Sequence, residues 1–195
     1  MTVSPSKLVY EGKHLHFYVH ATGWEFVHRA KASQGVVIVA ATERRKIVLV
    51  EQRRIPIGKA VIELPAGLVG DIRSNESDDP LSAAKRELQE ETGYSCEDVE
   101  IICSGSLVPG LTDEINSLCW AKGLKGQAVK DNKGDDQVYE HEIRQGIENE
   151  GEETRVYDVP LAIVEEWLKE QIRKDKVVDL KVYLGVFFLR NALNC

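Results

Sequence analysis

The sequence predicts an α/β domain in which a mixed sheet is sandwiched by helices. Three observations carry that expectation. The chain reads mostly as short β-branched runs with a few helical segments between them. It has no internal repeat and no low-complexity stretch. Its 195 residues, 43% apolar and 29% charged, suffice for one sizeable core at an ordinary globular composition.

Residues 1–34 read as short strands, Leu8 to Tyr10, Lys13 to His20 and Trp24 to Ala30, the last two divided by the turn Ala21-Thr22-Gly23. The β-branched runs Gly35–Ala40 and Lys46–Gln52 flank a polar turn, Thr42 to Arg45, and predict a hairpin. Val61–Leu64 is a further short strand, followed by Pro65-Ala66-Gly67 and a polar loop from Gly70 to Asp79. Pro80 suits a first helical position, with Asp79 as N-cap and Gly93 closing the helix. Strands are expected near Val99–Ser104, Ile115–Ala121 and Arg155–Asp158, and helices over Pro160–Ile172 and Leu180–Leu193. The polar stretch from Leu124 to Thr154 is long enough to be disordered or functional.

Twenty-five Lys and Arg against 32 Asp and Glu leave a net charge of −7. That balance speaks against nucleic-acid or anionic-membrane binding. It leaves room for a small anionic substrate, because a divalent cation reverses the local sign. No apolar run is long enough to span a membrane, and Met1 to Lys7 holds no signal-peptide core. Cys96, Cys103, Cys119 and Cys195 form no C-x-x-C pair, so reduced thiols and a cytoplasmic location are the default expectation, with export by another route left open.

Chemistry concentrates in the helix from Pro80. Leu81, Ala84 and Leu88 fall on one stripe and are expected to face the core, while Glu87, Glu90 and Glu91 share another sector at i, i+3 and i+4. Like charges at those spacings repel by a few tenths of a kcal/mol per pair, roughly, and no lysine interleaves them. Spacing alone allows two readings: a solvated acidic face, or hard oxygen ligands for magnesium or manganese. Arg86, four residues before Glu90, can hold a glutamate in place.

Arg86-Glu-Leu-Gln-Glu-Glu-Thr-Gly-Tyr94 resembles the second half of the Nudix box at every specified position. The glycine that stands fourteen positions before the arginine in that family is Gly67, nineteen before it here, so the intervening loop is five residues longer. The first-half glutamate is replaced by Asp78 or shifted to Glu76. Glu51-Gln-Arg-Arg-Ile55, Glu63-Leu-Pro-Ala-Gly67, Pro109-Gly-Leu-Thr-Asp-Glu114 and Gly23-Trp-Glu-Phe-Val-His-Arg29 resemble the ADP-ribose and ADP-sugar pyrophosphatase branch in order and spacing. The resemblance runs from about Lys13 to Leu193.

That resemblance implies a Nudix α-β-α sandwich over 35–195, with 1–34 as an antiparallel β extension for dimerisation and base binding. It implies Mg2+, or Mn2+, held by Glu87, Glu91, Glu90, the Ala66 carbonyl and Glu63, with Arg86 and Glu90 in the catalytic set. The base activating water is expected in Glu148–Val156, with Glu152 the first choice and Glu150 the second. Arg54 is expected on the phosphates, Trp24 stacked on the nucleobase beside Arg29, and Pro109 at the substrate. Asp179-Leu-Lys181 resembles relatives that take diverse nucleoside diphosphate sugars, although an N-cap beside a solvated lysine accounts for it equally well. His14 and His16 read as a solvated strand, Trp120 and Trp167 as core.

The implied function is Mg-dependent hydrolysis of nucleoside diphosphate sugars, ADP-ribose included, by a homodimer that binds a small molecule and neither nucleic acid nor membrane. The narrower alternative is a strict ADP-ribose pyrophosphatase. The alternative from another class is a non-catalytic sensor on the same fold, against which the retention of Arg86, Glu87, Glu90 and Glu91 speaks.

Overall fold

A computed structural model describes residues 6–32, 34–70, 79–126, 136–144 and 153–194, and these described residues form twelve strands and three helices. β1 (Ser6–Glu11), β2 (Leu15–His20) and β3 (Glu25–Arg29) form an antiparallel three-stranded sheet. β4 (Gln34–Ala40), β7 (Ala66–Leu68), β8 (Ser95–Gly105) and β9 (Ile115–Lys125) form a second sheet in the order β7-β4-β9-β8. β5 (Lys46–Arg54), β6 (Lys59–Glu63), β10 (Tyr139–Arg144), β11 (Glu153–Pro160) and β12 (Val177–Val178) form a third, ordered β10-β11-β5-β6-β12. The helices are α1 (Pro80–Thr92), α2 (Val164–Arg173) and α3 (Leu180–Ala192).

The expected α-β-α layering follows from side-chain alternation along two strands. Val36 and Ile38 of β4 and Val48 and Val50 of β5 pack with Ala83, Ala84 and Leu88 of α1. The intervening Val37, Val39, Ile47 and Leu49 pack with Val164 and Leu168 of α2 and Val182, Val186 and Leu189 of α3. Strands buried on both faces lose their polar alternation, which is why these runs read as continuous apolar stretches.

The same burial overturns the hairpin expected of β4 and β5. The two strands touch through a single bridge, Ala41 to Ile47, and then part into different sheets. Each has both edges occupied elsewhere: β4 pairs with β7 and, in parallel, with β9, while β5 pairs with β6 and β11. β7, β10 and β12 were not expected. β7 and β12 are two or three residues long, and β10 lies inside the polar stretch. Pro160 ends β11, so the second helix begins at Val164.

α1 is capped as expected. The Asp79 carboxylate accepts from the amides of Leu81 (2.8 Å) and Ser82 (3.1 Å), which pulls its pKa below the usual range. Gly93 closes the helix in the left-handed region, at φ 73°. One stripe residue departs: Leu81 is 39% exposed, and Ala83 takes the buried place beside Ala84 and Leu88. Leu81 lies in the first turn of α1. The core also holds Tyr94, whose hydroxyl donates to Asp158 at 2.5 Å. Trp120 and Trp167 sit half-buried at its edge, against Phe188 (5.3 Å) and Tyr157 (5.0 Å). His16 lies opposite His28 of β3, their rings 6.3 Å apart, while His14 is exposed in the preceding turn. No helix among the described residues is long and apolar enough to cross a membrane.

Candidate active site

The site forms where β5, β6 and β7 meet α1. Alternation along β5 puts Glu51 on the α2 side, where it accepts from Tyr157 Oη (2.8 Å) and Lys176 Nζ (2.6 Å). Gln52 and Arg54 therefore share the opposite face. Arg54 makes a two-pronged contact with Glu63 at the end of β6, Nε to Oε1 at 2.8 Å and Nη2 to Oε2 at 2.5 Å. Three residues on, β7 lies under α1, and its backbone is in contact with the acidic turn of the helix.

The three glutamates of α1 do not share an environment. Glu91 is buried, one oxygen accepting from Gln52 Nε2 (2.9 Å) and the other from the Ala66 amide (3.0 Å). Glu87 lies against Gly67 so closely that a Cβ there would stand 1.9 Å from its carboxyl carbon. Arg86 Nη1 holds Glu87 at 2.6 Å while Nη2 donates to the Leu68 carbonyl at 3.1 Å. Glu90 stands 57% exposed, 3.5 Å from the same guanidinium. Arg86 thus holds Glu87 more closely than Glu90, although the i, i+4 spacing pointed to Glu90.

Burial pushes the Glu91 carboxyl up to about 7. The hydrogen bonds from Ala66 and Gln52 pull it back, the negative charge of Glu87 pushes it further up, and the positive charge of Arg54 lowers it. A buried carboxylate short of positive charge is an environment that a divalent cation corrects. The donors are hard oxygens throughout, carboxylates of Glu87, Glu90, Glu91 and Glu63 with the backbone of Ala66, and they suit Mg2+ or Mn2+. Among the described residues no three acidic, His or Cys side chains already converge as a ligand cluster. Glu63 and Glu87 are engaged by arginines, and Glu91 by its two neutral donors.

The other expected site residues make their contacts with other elements. Trp24 is 61% exposed on the N-terminal sheet, its Nε1 donating to the Gly110 carbonyl at 3.2 Å. Arg29 pairs with Glu114. Val27 N–H donates to the Leu111 carbonyl (2.8 Å), and His28 Nδ1 lies 2.8 Å from Asp113. The loop carrying the exposed Pro109 is therefore laced along β3. Asp179 caps α3, accepting from the Lys181 amide at 2.8 Å and pairing with the Lys181 ammonium. Glu150 and Glu152, and the first-half acids Glu76 and Asp78, lie outside the described residues.

Sequence reasoning missed Gln52, Glu114 and Asn116. Gln52 was legible by period two from Arg54. Asn116, whose Nδ2 donates to Glu114 at 3.0 Å, carried no such signal.

A profile of the NUDIX domain matches residues 31–159. A methanol dehydrogenase activator of Bacillus methanolicus is 37% identical over 142 residues, covering 70% of this chain and 72% of the relative. An ADP-ribose pyrophosphatase of Bacillus subtilis is 32% identical over 105 residues, 54% of each chain. An ADP-sugar pyrophosphatase of Mus musculus is 34% identical over 127 residues, 57% of this chain and 56% of the relative. This chain spans about half the length of those two pyrophosphatases. The crystal structure of an ADP compounds hydrolase superposes with a TM-score of 0.62 at 17% identity, over 99% of this chain and 94% of that one, a likeness of fold.

Proposed function

This chain belongs to the NUDIX family and is a Nudix pyrophosphohydrolase, and from that premise we propose that it hydrolyses the diphosphate of nucleoside diphosphate sugars, ADP-ribose included. The products are a nucleoside monophosphate and a sugar phosphate. The observation that carries the reading is the buried Glu91 one turn beyond a Glu87 pressed against Gly67, with Arg54 and Arg86 beside them. Glu87, Glu90, Glu91, Glu63 and the Ala66 carbonyl would hold Mg2+, or Mn2+. Such an ion polarises a phosphoryl oxygen and lowers the pKa of an attacking water.

The remaining work falls to the chain. Arg86 holds Glu87 in place and Gln52 orients Glu91. Arg54 exchanges Glu63 for the substrate phosphates, which its planar fork grips by two oxygens. Glu152, or Glu150, takes the proton of the attacking water. Trp24 stacks on the base, flanked by Arg29 and Pro109, while Asp179 and Lys181 face the sugar side. Residues 1–34 serve dimerisation and base binding, and 35–195 the chemistry. Homodimerisation is supported by exposed apolar residues of that sheet, Leu8, Val9, Tyr10 and Leu15.

The test is a substrate panel in magnesium with a chelator control: ADP-ribose, ADP-glucose, GDP-mannose, UDP-glucose, a dinucleotide and a nucleoside triphosphate. Turnover of several diphosphate sugars is expected. Cleavage of ADP-ribose alone would establish the narrow alternative. No metal-dependent turnover of any compound would defeat the hydrolase reading.

A further inference from the structure

A cavity of about 590 Å3 opens at the other end of β5 from the candidate active site. Its walls are Glu43, Arg44 and Arg45 of the turn before β5, Pro160 and Leu161 where β11 ends, and Arg190 of α3. Arg45 precedes β5 and Arg54 closes it, and a strand of that length spans roughly 30 Å. The cavity is therefore a place of its own, and none of its walls belongs to the acidic helix or to β6 and β7.

The chain as a whole carries a charge of −7, yet three guanidiniums meet here. Arg190 holds Glu165 through Nη1 at 2.5 Å and Nη2 at 2.6 Å, and Nη2 also donates to the Leu161 carbonyl at 3.0 Å. With Glu165 cancelling Arg190, the lining keeps two arginines against Glu43, an excess of positive charge. Arg45 is the most telling of them. Its backbone sits in the left-handed region at φ 55°, where glycine is favoured and a side chain is held at a cost. Two hydrogen bonds fix that backbone, the Arg45 amide to the Thr42 carbonyl (2.9 Å) and the Leu161 amide to the Arg45 carbonyl (3.0 Å). An arginine thus stands on a pinned turn, against the preference of the turn, at the mouth of a cavity. Such an outlier is the kind of position that a ligand clamp explains.

Two properties select the occupant. The volume falls in the range of roughly 300–1,000 Å3 that encloses a small organic molecule. A guanidinium fork matches the paired oxygens of a phosphate, while Pro160 and Leu161 offer an apolar wall that a bare phosphate would leave uncovered. We propose that this cavity binds a phosphomonoester of nucleotide size, its phosphate on Arg45 and Arg44 and its ring against Pro160 and Leu161. The site is separate from the catalytic one and does not depend on the diphosphate-sugar reading.

Arg45→Gly removes the guanidinium and relaxes the backbone, because glycine takes a positive φ without penalty, so the fold is kept. Arg44→Ser is the second variant. The full 15N-labelled chain, held in a chelator, would be titrated with AMP, inorganic phosphate and adenosine while backbone amides are followed one by one. AMP should shift the amides of residues 43–45, Leu161 and Ala162 with a Kd below about 1 mM. Arg45→Gly should weaken the response at Leu161 and Ala162 at least about tenfold, and Arg44→Ser about threefold or more, the scale of charge-assisted hydrogen bonds. Any response of the Glu87–Glu91 amides should match wild type in both variants. Inorganic phosphate should bind at least about tenfold more weakly than AMP, and adenosine should leave these amides unmoved. AMP shifts confined to the surroundings of Glu63 and Glu87–Glu91 would place it in the candidate active site alone and overturn the proposal. So would a response that survives both substitutions, inorganic phosphate binding as tightly as AMP, or adenosine matching AMP.

Discussion

Gly67→Ala isolates the catalytic geometry from the stability of the fold. Gly67 is not in the left-handed region, so alanine meets no backbone penalty there and narrows the unfolded ensemble. The whole effect falls on Glu87. The new Cβ would lie 1.9 Å from its Cδ, 2.2 Å from Oε1 and 2.3 Å from Cγ. Relief requires the carboxyl to retreat by about 1 Å or more, and such a misplacement of a catalytic group costs roughly 10²-fold in rate. Oε1 is also the atom that Arg86 holds at 2.6 Å, so the guanidinium loses its partner or follows it. We expect kcat on ADP-ribose in saturating magnesium to fall at least about 10²-fold, or about 2.7 kcal/mol. Tm in a chelator should stay within a few degrees of wild type, and the rise in Tm on adding magnesium should shrink. Leu168→Ala is the opposite case: a fully buried side chain of α2, it should cost about 2–5 kcal/mol of stability and leave kcat of the folded fraction unchanged. Gly67→Ala activity within threefold of wild type, with an unchanged magnesium response, would refute the placement of Glu87.

Three further outcomes follow from the structure. In metal-free protein, Glu91 titrates near 7 when folded and near 4.5 when unfolded, so its contribution is intact below about pH 4.5 and is lost as pH rises through 7. Glu91→Gln should therefore be more stable than wild type at pH 8 in a chelator, by up to about 3 kcal/mol, with the gap closing by pH 4.5; parallel urea midpoints across that range would contradict the burial argument. Tyr94→Phe removes the hydroxyl that reaches Asp158 and should lower stability by about 1–3 kcal/mol in urea melts without altering kcat. Cys103 is exposed while burial pushes the Cys119 thiol up to about 11, so iodoacetamide at pH 8 should alkylate Cys103 and spare Cys119, as read by peptide mass mapping.

The acidic helix was legible in detail. Asp79, Pro80 and Gly93 are local signals whose physics acts within a few residues, and all three sit where capping rules put them. The layering was legible for a related reason: burial on both faces leaves a mark in the strand itself. What failed was pairing. The runs from Gly35 and Lys46 look like hairpin partners because a short polar turn joins them, yet hydrogen-bond partners are chosen among all strand edges at once. β9, some eighty residues away, took the edge of β4.

At the site the division is similar. The sequence by itself determined that Glu87, Glu90 and Glu91 recur at helical spacing behind Arg86, because that period is a property of the local backbone. Only the tertiary structure decided that these carboxylates differ: Glu91 is buried under Ala66 and Gln52, Glu87 is wedged on Gly67, and Glu90 faces solvent. It likewise joined Arg54 to Glu63. Side-chain spacing along one helix is covalent in origin, whereas desolvation and partner choice depend on which distant backbone arrives opposite, and that is settled only when the sheets and helices close together.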